Sequence, residues 1–422
     1  MPGPLDGLVV LDLSRILAGP TCTQLMGDLG AEVIKIENLS GDDTRAWGPP
    51  FAEGLDGTPT DLSAYFLSIN RNKKSVAVDL TDAGVQKALH DLAGRADVVI
   101  ENFKPGGLRA YGLDHETLCA AYPGLVYCSI SGFGQTGPNR DKPGYDLMAQ
   151  GYGGIMSITG AAGDEPMKVG VGVADVVCGL YAATGILAAL RHRDATGEGQ
   201  HIDLALVDST MSWLVNQGLN YLTSGISPVR AGNAHPNIVP YQVFATSDGY
   251  VIVAVGNDSQ YARFCDYLGQ PGWATDPRFA TNTARLANRD TLVPMISEAL
   301  SQRTMQDVIA GLEARRVPVG PVNTVQQALE SDQAQARGMT ITMPAPQTAD
   351  GHVRLLGNPL KFSRTPVSYR TAPPATGADT DEVLPGLDPR PLVWWSEVRH
   401  FDPSCAARAQ VSSSTAWRTL KL

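Results

Sequence analysis

Residues 8–37 read LVVLDLSRILAGPTCTQLMGDLGAEVIKIE, and this stretch decides the fold. Its opening, Leu8 to Leu13, is a short apolar run rich in branched side chains, as expected of a strand buried in a parallel sheet. Pro20 and Thr21 then open a helical stretch, and Gly30 stops it in the manner of a glycine cap. Glu32 to Glu37 alternates like a second strand. Further strands are expected at Ser75–Leu80, Asp97–Asn102 and Leu125–Ile130, with a helix over Asp82–Ala93 between two of them. This rhythm reads as an α/β fold with a Rossmann-like, doubly wound sheet.

Beyond that unit the pattern changes. Residues 151–172 are glycine-rich, which suggests loops approaching a ligand or a neighbouring backbone. Asp175 follows, then an apolar stretch from Val176 to Leu190 that should be a buried helix. His201 to Val207 reads as a strand or a helix start. Gly249 to Gly256 is a strand leading into a glycine-containing turn. Pro271 to Asn323 is more charged and helical without the Rossmann rhythm, which fits a smaller second domain. Asp350 to Ser363 looks like strand and loop returning to the first domain.

The bulk numbers narrow the function. At 422 residues, 43% hydrophobic and 18% charged, the chain has room for two domains. Its formal net charge of -10 argues against binding nucleic acid or an anionic membrane, which usually needs a positive field. No apolar run is read as reaching the length of a membrane span, and no basic segment leads into an apolar one at the N-terminus. The cysteines at 22, 119, 128, 178, 265 and 405 form no CxxC pair and no metal-ligand spacing, so a reduced, cytoplasmic setting and no metal are expected. Arg71, Lys73, Lys74, Lys104, Arg109, Arg140 and Lys142 fall in one part of the sequence. Such a set is commonly a solvated face, but it also suits a small polyanionic ligand.

Asp175 has two compatible readings. Aspartate before a helix is a favoured N-cap, its oxygens accepting from the free amides of the first turn. The neighbourhood VGVGVADVVCGLY holds no other charge, so the same carboxylate would be partly desolvated and suited to attack an activated carbonyl. No Walker A sequence, GxSxG elbow, HExxH or EF-hand loop occurs, and GFGQTGP (132–138) lacks the dinucleotide spacing. Spacing alone gives an α/β enzyme for a small ligand.

A resemblance goes further. AGP (18–20), LGAEVIKIE (29–37), NRNKKSVAVDL (70–80), ADVVIENFKPG (96–106), YCSISGFGQTGP (127–138), KPGYD (142–146) and GVADVVCGLYA (172–182) occur in family order. With them the chain resembles the class III CoA-transferases, the family of formyl-CoA transferase and of the carnitine and bile-acid CoA-transferases. The likeness covers roughly residues 4–384. It implies an interlocked, ring-like homodimer whose large α/β domain comprises residues 1–224 and a return at 326–384, with a small α+β domain at 225–325. It implies Asp175 as nucleophile, coenzyme A as a co-substrate with no permanently bound cofactor, and acyl-CoA and a carboxylic acid as partners. CoA contacts are implied at Leu67, Arg71, Lys73, Asn102, Phe103, Lys104, Arg109, Lys142 and Tyr145. Racemases of the superfamily carry His-Asp where this chain has Tyr145-Asp146, and tyrosine is poorly suited to removing an α-proton at neutral pH. A racemase is therefore the lesser reading, and Asp175 disfavours a CoA-binding protein without catalysis.

Within the family, GDDTRAWGPPF (41–51), YFLSINRNKKS (65–75), AHPNIVPYQVF (234–244) and AVGNDSQYARFC (254–265) resemble the succinate–hydroxymethylglutarate CoA-transferases, which exchange CoA among dicarboxylates. On that resemblance Leu17, Arg45, His235 and Gly256 are substrate-site candidates, with Arg45 or His235 meeting a distal carboxylate. Leu17 stands where formyl-CoA transferase has glutamine, which argues against formate and oxalate. Asn38 stands where some relatives have arginine, so one phosphate contact would come from elsewhere. The resemblance ends near residue 384. The tail, 385–422, fits neither a family helix nor a binding motif, is compatible with disorder, and is assigned no function.

Overall fold

A computed structural model of the chain describes residues 2–385. The opening unit forms as its sequence predicts, with β1 at Val9–Asp12, α1 at Ala18–Asp28 and β2 at Glu32–Glu37. Gly30 turns the chain between α1 and β2 at φ +115°, a conformation closed to ordinary side chains. A hairpin of β3 (Phe51–Glu53) and β4 (Pro59–Ser63) follows, then the short helix α2 (Ala64–Ile69) and β5 (Lys73–Ala77). β5 lies earlier than the expected Ser75–Leu80 because Lys73 is a strand residue with its ammonium buried against Asp12. Hydrophobic patterning does not anticipate a lysine there.

Next come α3 (Ala83–Ala93), β6 (Val98–Glu101), α4 (His115–Ala121), β7 (Val126–Ser131), α5 (Asp146–Tyr152), α6 (Ile155–Ile158) and α7 (Val173–Thr196). The Asp82 carboxylate caps α3 by accepting from the amides of Gly84 and Val85. β8 (His201–Ala205) runs directly into α8 (Leu206–Ser212), so the segment expected as strand or helix start is both, and α9 (Val215–Ser224) follows.

β5, β2, β1, β6, β7 and β8 form one sheet in that order, every neighbouring pair parallel. The order reverses between β1 and β6, the kind of switch point where α/β sheets place ligands. Alternate strand residues face opposite ways: Val10, Val33 and Ile100 pack with α1, α7 and α8, while Leu11, Ile34 and Val99 pack with α3 and α4. Both faces are covered, as parallel sheets require.

α7 corrects the expectation that no apolar run reaches membrane length: it is long and apolar enough, by length and composition, to cross a bilayer. In this fold more than half of its apolar window is buried, and it crosses α1 at Gly179, where any side chain would meet the Ala18 carbonyl oxygen at 2.5 Å.

A separate antiparallel sheet, in the order β11–β10–β9, contains β9 (Tyr241–Ala245), β10 (Tyr250–Ala254) and β11 (Val319–Pro321). With α10 (Asp258–Leu268), α11 (Asn282–Ala287), α12 (Arg289–Ser301) and α13 (Met305–Glu313) it encloses its own core around Phe244, Val251, Phe264, Ile296 and Leu312. After the hairpin of β12 (Thr340–Pro344) and β13 (His352–Leu356), the chain lies back along α1 and β5. There Asn358 Nδ2 donates to Asp28 (2.8 Å), Asp379 accepts from the Ser75 amide (2.8 Å) and Glu382 pairs with Lys74 (2.8 Å). The tail beyond Pro385 lies outside the described residues.

Candidate active site

The loops leaving β1, β6 and β7 meet the first turn of α7 around a cavity of about 150 Å³. Its lining includes Arg15, Ile16, Leu17, Asn102, Phe103, Lys104, Lys142, Tyr145 and Asp175. Sequence-distant residues converge because each follows the C-terminal end of a parallel strand, or starts the helix packed beside them.

Asp175 is the third residue of α7 and is buried. It is not the N-cap, which corrects that reading: Gly172 holds the cap position and offers no side chain. The capping carboxylate comes from Asp146, whose Oδ1 accepts from the amides of Ala174 (2.8 Å) and Asp175 (3.4 Å). Glycine at 172 makes room for Leu17, since a Cβ there would lie 2.7 Å from Leu17 Cδ2. Asp146 Oδ2 accepts from Gln150 Nε2 (2.6 Å), which orients the cap. With the helix end satisfied by Asp146, the Asp175 carboxylate keeps its oxygens for other chemistry.

Burial, and secondarily the charge of Asp146, push the Asp175 carboxyl up to about 7. The same two carboxylates, together with its own half-burial, push the Tyr65 hydroxyl up to about 12, burial being the largest cause. Tyr65, stacked edge-on against Trp47 at 5.1 Å, therefore stays protonated within electrostatic range of Asp175.

Of the other expected residues, Leu17, Asn102, Phe103, Lys104, Lys142 and Tyr145 line the cavity with Asp175. Asn102 does so as a clasp: its amide both accepts from the Arg15 N–H and donates to the Arg15 carbonyl, each at 2.8 Å. Phe103 and Arg15 also border an adjoining groove of about 480 Å³, floored by Leu13, Asn38, Leu39 and Leu80 along the ends of β1, β2 and β5.

Three expected cations are interior struts, which corrects their assignment to ligand. Arg45 is buried, with its guanidinium on Glu37 (2.7 Å), Asp61 (2.9 Å) and the Pro374 carbonyl (3.1 Å), and it stacks on Phe66. Arg71 is buried against Asp28 (2.5 Å) and the Leu356 carbonyl (2.9 Å). Lys73 Nζ donates to Asp12 (3.2 Å), the Pro20 carbonyl (3.1 Å) and Asn70 (3.0 Å). Each has its donors satisfied inside the fold. Leu67 packs against the cluster of Met343, Val353 and Leu355 instead of the cavity. Arg109 is exposed and paired with Glu116 at 2.5 Å.

His235 and Gly256 belong to the part of the chain built around the antiparallel sheet. His235 Nδ1 accepts from the Asn237 amide (3.0 Å), and the Gly256 amide donates to Gln260 Oε1 (2.7 Å). Neither lines the Asp175 cavity.

Arg15, Ile16, Tyr65 and Asp146 are the contributors that residue-level reading overlooked. Only Asp146 left a usable signal: an acidic residue beside Tyr145, in a motif already singled out. Among the described residues no cluster of His, Cys, Asp and Glu is arranged to hold a metal ion.

A buried carboxylate with an uncommitted pair of oxygens, beside an open groove bordered by cationic and aromatic side chains, is suited to acyl chemistry on a long ligand. Comparison with known proteins gives the same class. The model of CoA-transferase family III matches residues 5–380. The chain belongs to CoA-transferase family III. As a family III enzyme it uses CoA thioesters as co-substrates. It is 46% identical over 387 residues to a succinate–glutarate CoA-transferase of Agrobacterium fabrum, covering 91% of this chain and 96% of that protein. It is 40% identical over 382 residues to the human succinyl-CoA:glutarate CoA-transferase, covering 90% and 85%. A crystal structure of a CAIB/BAIF family protein from Brucella suis superposes with a TM-score of 0.80 at 47% identity, covering 91% of this chain and 99% of that one.

Proposed function

We propose that this family III transferase moves CoA from succinyl-CoA, or a related dicarboxylyl-CoA, to a free dicarboxylic acid, with Asp175 as nucleophile. One observation carries the reading: Asp146 caps the helix, so the buried Asp175 carboxylate has no structural duty. Relatives named for succinate, succinyl-CoA and glutarate support the choice of acids.

In the first step an Asp175 oxygen attacks the thioester carbonyl, the C–S bond breaks, and an acyl-aspartyl anhydride and CoA thiolate result. The thiolate then attacks the aspartyl carbonyl, releasing the first acid as its carboxylate and leaving an aspartyl-CoA thioester. The acceptor carboxylate attacks that thioester and expels the thiolate to give a second anhydride. Attack of the thiolate on the acceptor's acyl carbon forms the new CoA ester and frees Asp175. Every intermediate is activated, so no ATP is consumed. Exclusion of water matters because an anhydride hydrolyses readily, and the buried position of Asp175 serves that end.

Lys104 and Lys142, exposed at the cavity rim, serve the phosphates of CoA, and the groove beside Phe103 and Leu80 serves its adenosine. The proposal places the enzyme in a reducing, cytoplasmic compartment, in keeping with free, buried Cys22, Cys128 and Cys178. It also makes the enzyme a homodimer, supported by large apolar side chains left exposed along α7, α8 and α9, Leu180, Tyr181, Met211, Leu219 and Leu222 among them.

The test is incubation with succinyl-CoA and a panel of free acids without ATP, following new CoA esters by mass spectrometry beside Asp175→Ala. Transfer to glutarate or a related dicarboxylate that the variant abolishes is the expected result. Undiminished transfer by Asp175→Ala would remove the nucleophile, and transfer only to monocarboxylates would remove the dicarboxylate assignment.

A further inference from the structure

The bend from Ser14 to Leu17 forms one wall of the Asp175 cavity, and side chains hold its backbone. The Ser14 amide donates to Asp12 Oδ1 (3.0 Å), and the Ser14 carbonyl accepts from Lys35 Nζ (2.9 Å). Arg15 is clasped at both amide and carbonyl by Asn102. The Ile16 amide donates to the Asp42 carboxylate, 3.2 Å from Oδ2 and 3.4 Å from Oδ1. At Ile16 φ is +69°, a left-handed conformation that is an outlier for a β-branched residue. Such a conformation persists only where its surroundings over-determine it, and that is commonest at functional sites.

Asp42 is itself firmly placed. Its Oδ2 lies 2.8 Å from Lys35 Nζ, both side chains fully buried. Its Oδ1 accepts from the Thr44 amide (3.0 Å) and hydroxyl (2.7 Å), and its own amide donates to Glu37 Oε2 (2.8 Å). A buried ion pair is weak support for stability, since an apolar pair of the same volume often does as well. Here the pair presents an acceptor to a strained amide. One residue further on, Leu17 lies over Gly172, at the start of the helix that carries Asp175.

We infer that Asp42, held by Lys35, is a positioning residue that locks the left-handed Ile16 bend and so sets Leu17 against the first turn of the Asp175 helix. The inference rests on the reading of Asp175 as nucleophile. Released from Asp42, Ile16 returns to negative φ and Leu17 leaves Gly172, so the acyl group loses its wall while the rim lysines that meet CoA are untouched.

The test is a double-mutant cycle. Asp42→Glu keeps the charge that Lys35 needs but lengthens the side chain, misplacing the acceptor. It should lower kcat for CoA transfer about tenfold or more, as misplacement of reacting groups does, while KM for the acyl-CoA stays within about twofold. In an Ile16→Gly background, where glycine adopts the left-handed bend unaided, the effect of Asp42→Glu should shrink to about twofold or less. An unchanged kcat in Asp42→Glu overturns the inference, and so does an equal loss in both backgrounds. Asp42→Ala, which removes the acceptor altogether, takes its place in the cycle if Asp42→Glu does not fold. Should the wild-type protein transfer no CoA, the reading of Asp175 fails on its own. Hydrogen exchange at the Ile16 amide then decides: it must quicken in the Asp42 variant, and unchanged exchange overturns the inference.

Discussion

At the scale of single residues, the site separates two carboxylates by their duties. Asp146 accepts helix amides, and Asp175, carried by the same helix, is left in a desolvated place where its carboxyl is pushed up to about 7. The proposed mechanism needs the ionised Asp175 carboxylate, so under it the rate of the first acyl transfer should rise with pH through a single ionisation near neutrality. Asp146→Asn removes the second cause of the shift and leaves burial, the larger one, so the inflection should move down part of the way towards the ordinary carboxylate range. A single-turnover pH profile measures this, and an inflection that stays or rises would refute it. The stability effect has the opposite sense. A folded-state carboxyl raised from 3.8 to about 7 holds its proton more tightly than the unfolded chain, so its contribution to stability falls as pH rises through that window.

Arg45 shows how a charge that suits a substrate is claimed by the fold. Its removal takes from buried Glu37 its paired guanidinium, leaving the Ser75 hydroxyl, the Asp42 amide and the nearby charge of Lys35. Arg45→Ala should therefore cost on the order of 3–5 kcal/mol of stability, the usual loss for breaking a buried pair. It should leave the ratio of KM for dicarboxylates to KM for monocarboxylates unchanged in the protein that does fold. Denaturant unfolding and steady-state kinetics test the two parts separately, and a selective rise in the dicarboxylate KM would restore Arg45 to the substrate site.

Among the elements, the contact that places Asp175 is the crossing of α1 and α7. It is close because position 179 lacks a side chain and faces the Ala18 carbonyl and Thr21. Gly179→Val forces the helices apart and should cost about 1–3 kcal/mol, the usual penalty for overpacking. It should also depress kcat, because Ala18 continues the bend that faces Asp175 in the cavity. A variant with unchanged melting temperature and unchanged kcat would show that the crossing is not tight.

For the molecule as a whole, the exposed apolar side chains of α7, α8 and α9 are the surface that the proposed homodimer would cover. Leu222, 75% exposed, stands beside Leu219 on α9. Leu219→Glu combined with Leu222→Glu should shift the protein from dimer towards monomer or aggregate in light scattering coupled to size-exclusion chromatography. A wild-type protein that is monomeric at micromolar concentration would remove the homodimer from the proposal.

The sequence by itself determined the α/β class and the strands near residues 9, 32, 98 and 126, because buried parallel strands are local patterns, and it singled out Asp175 on an uncharged helix start. It also carried the family, through long motifs in order. Tertiary structure alone decided which charges serve the fold. Arg45, Arg71 and Lys73 look like ligand-binding cations along the chain, yet their partners Glu37, Asp28 and Asp12 come from other strands and helices and take their donors. The cap of the Asp175 helix is likewise supplied from residue 146, and the hold on Ile16 from residue 42. Hydrophobic periodicity reports what each segment buries; which acceptor meets which donor is settled only when distant segments are brought together.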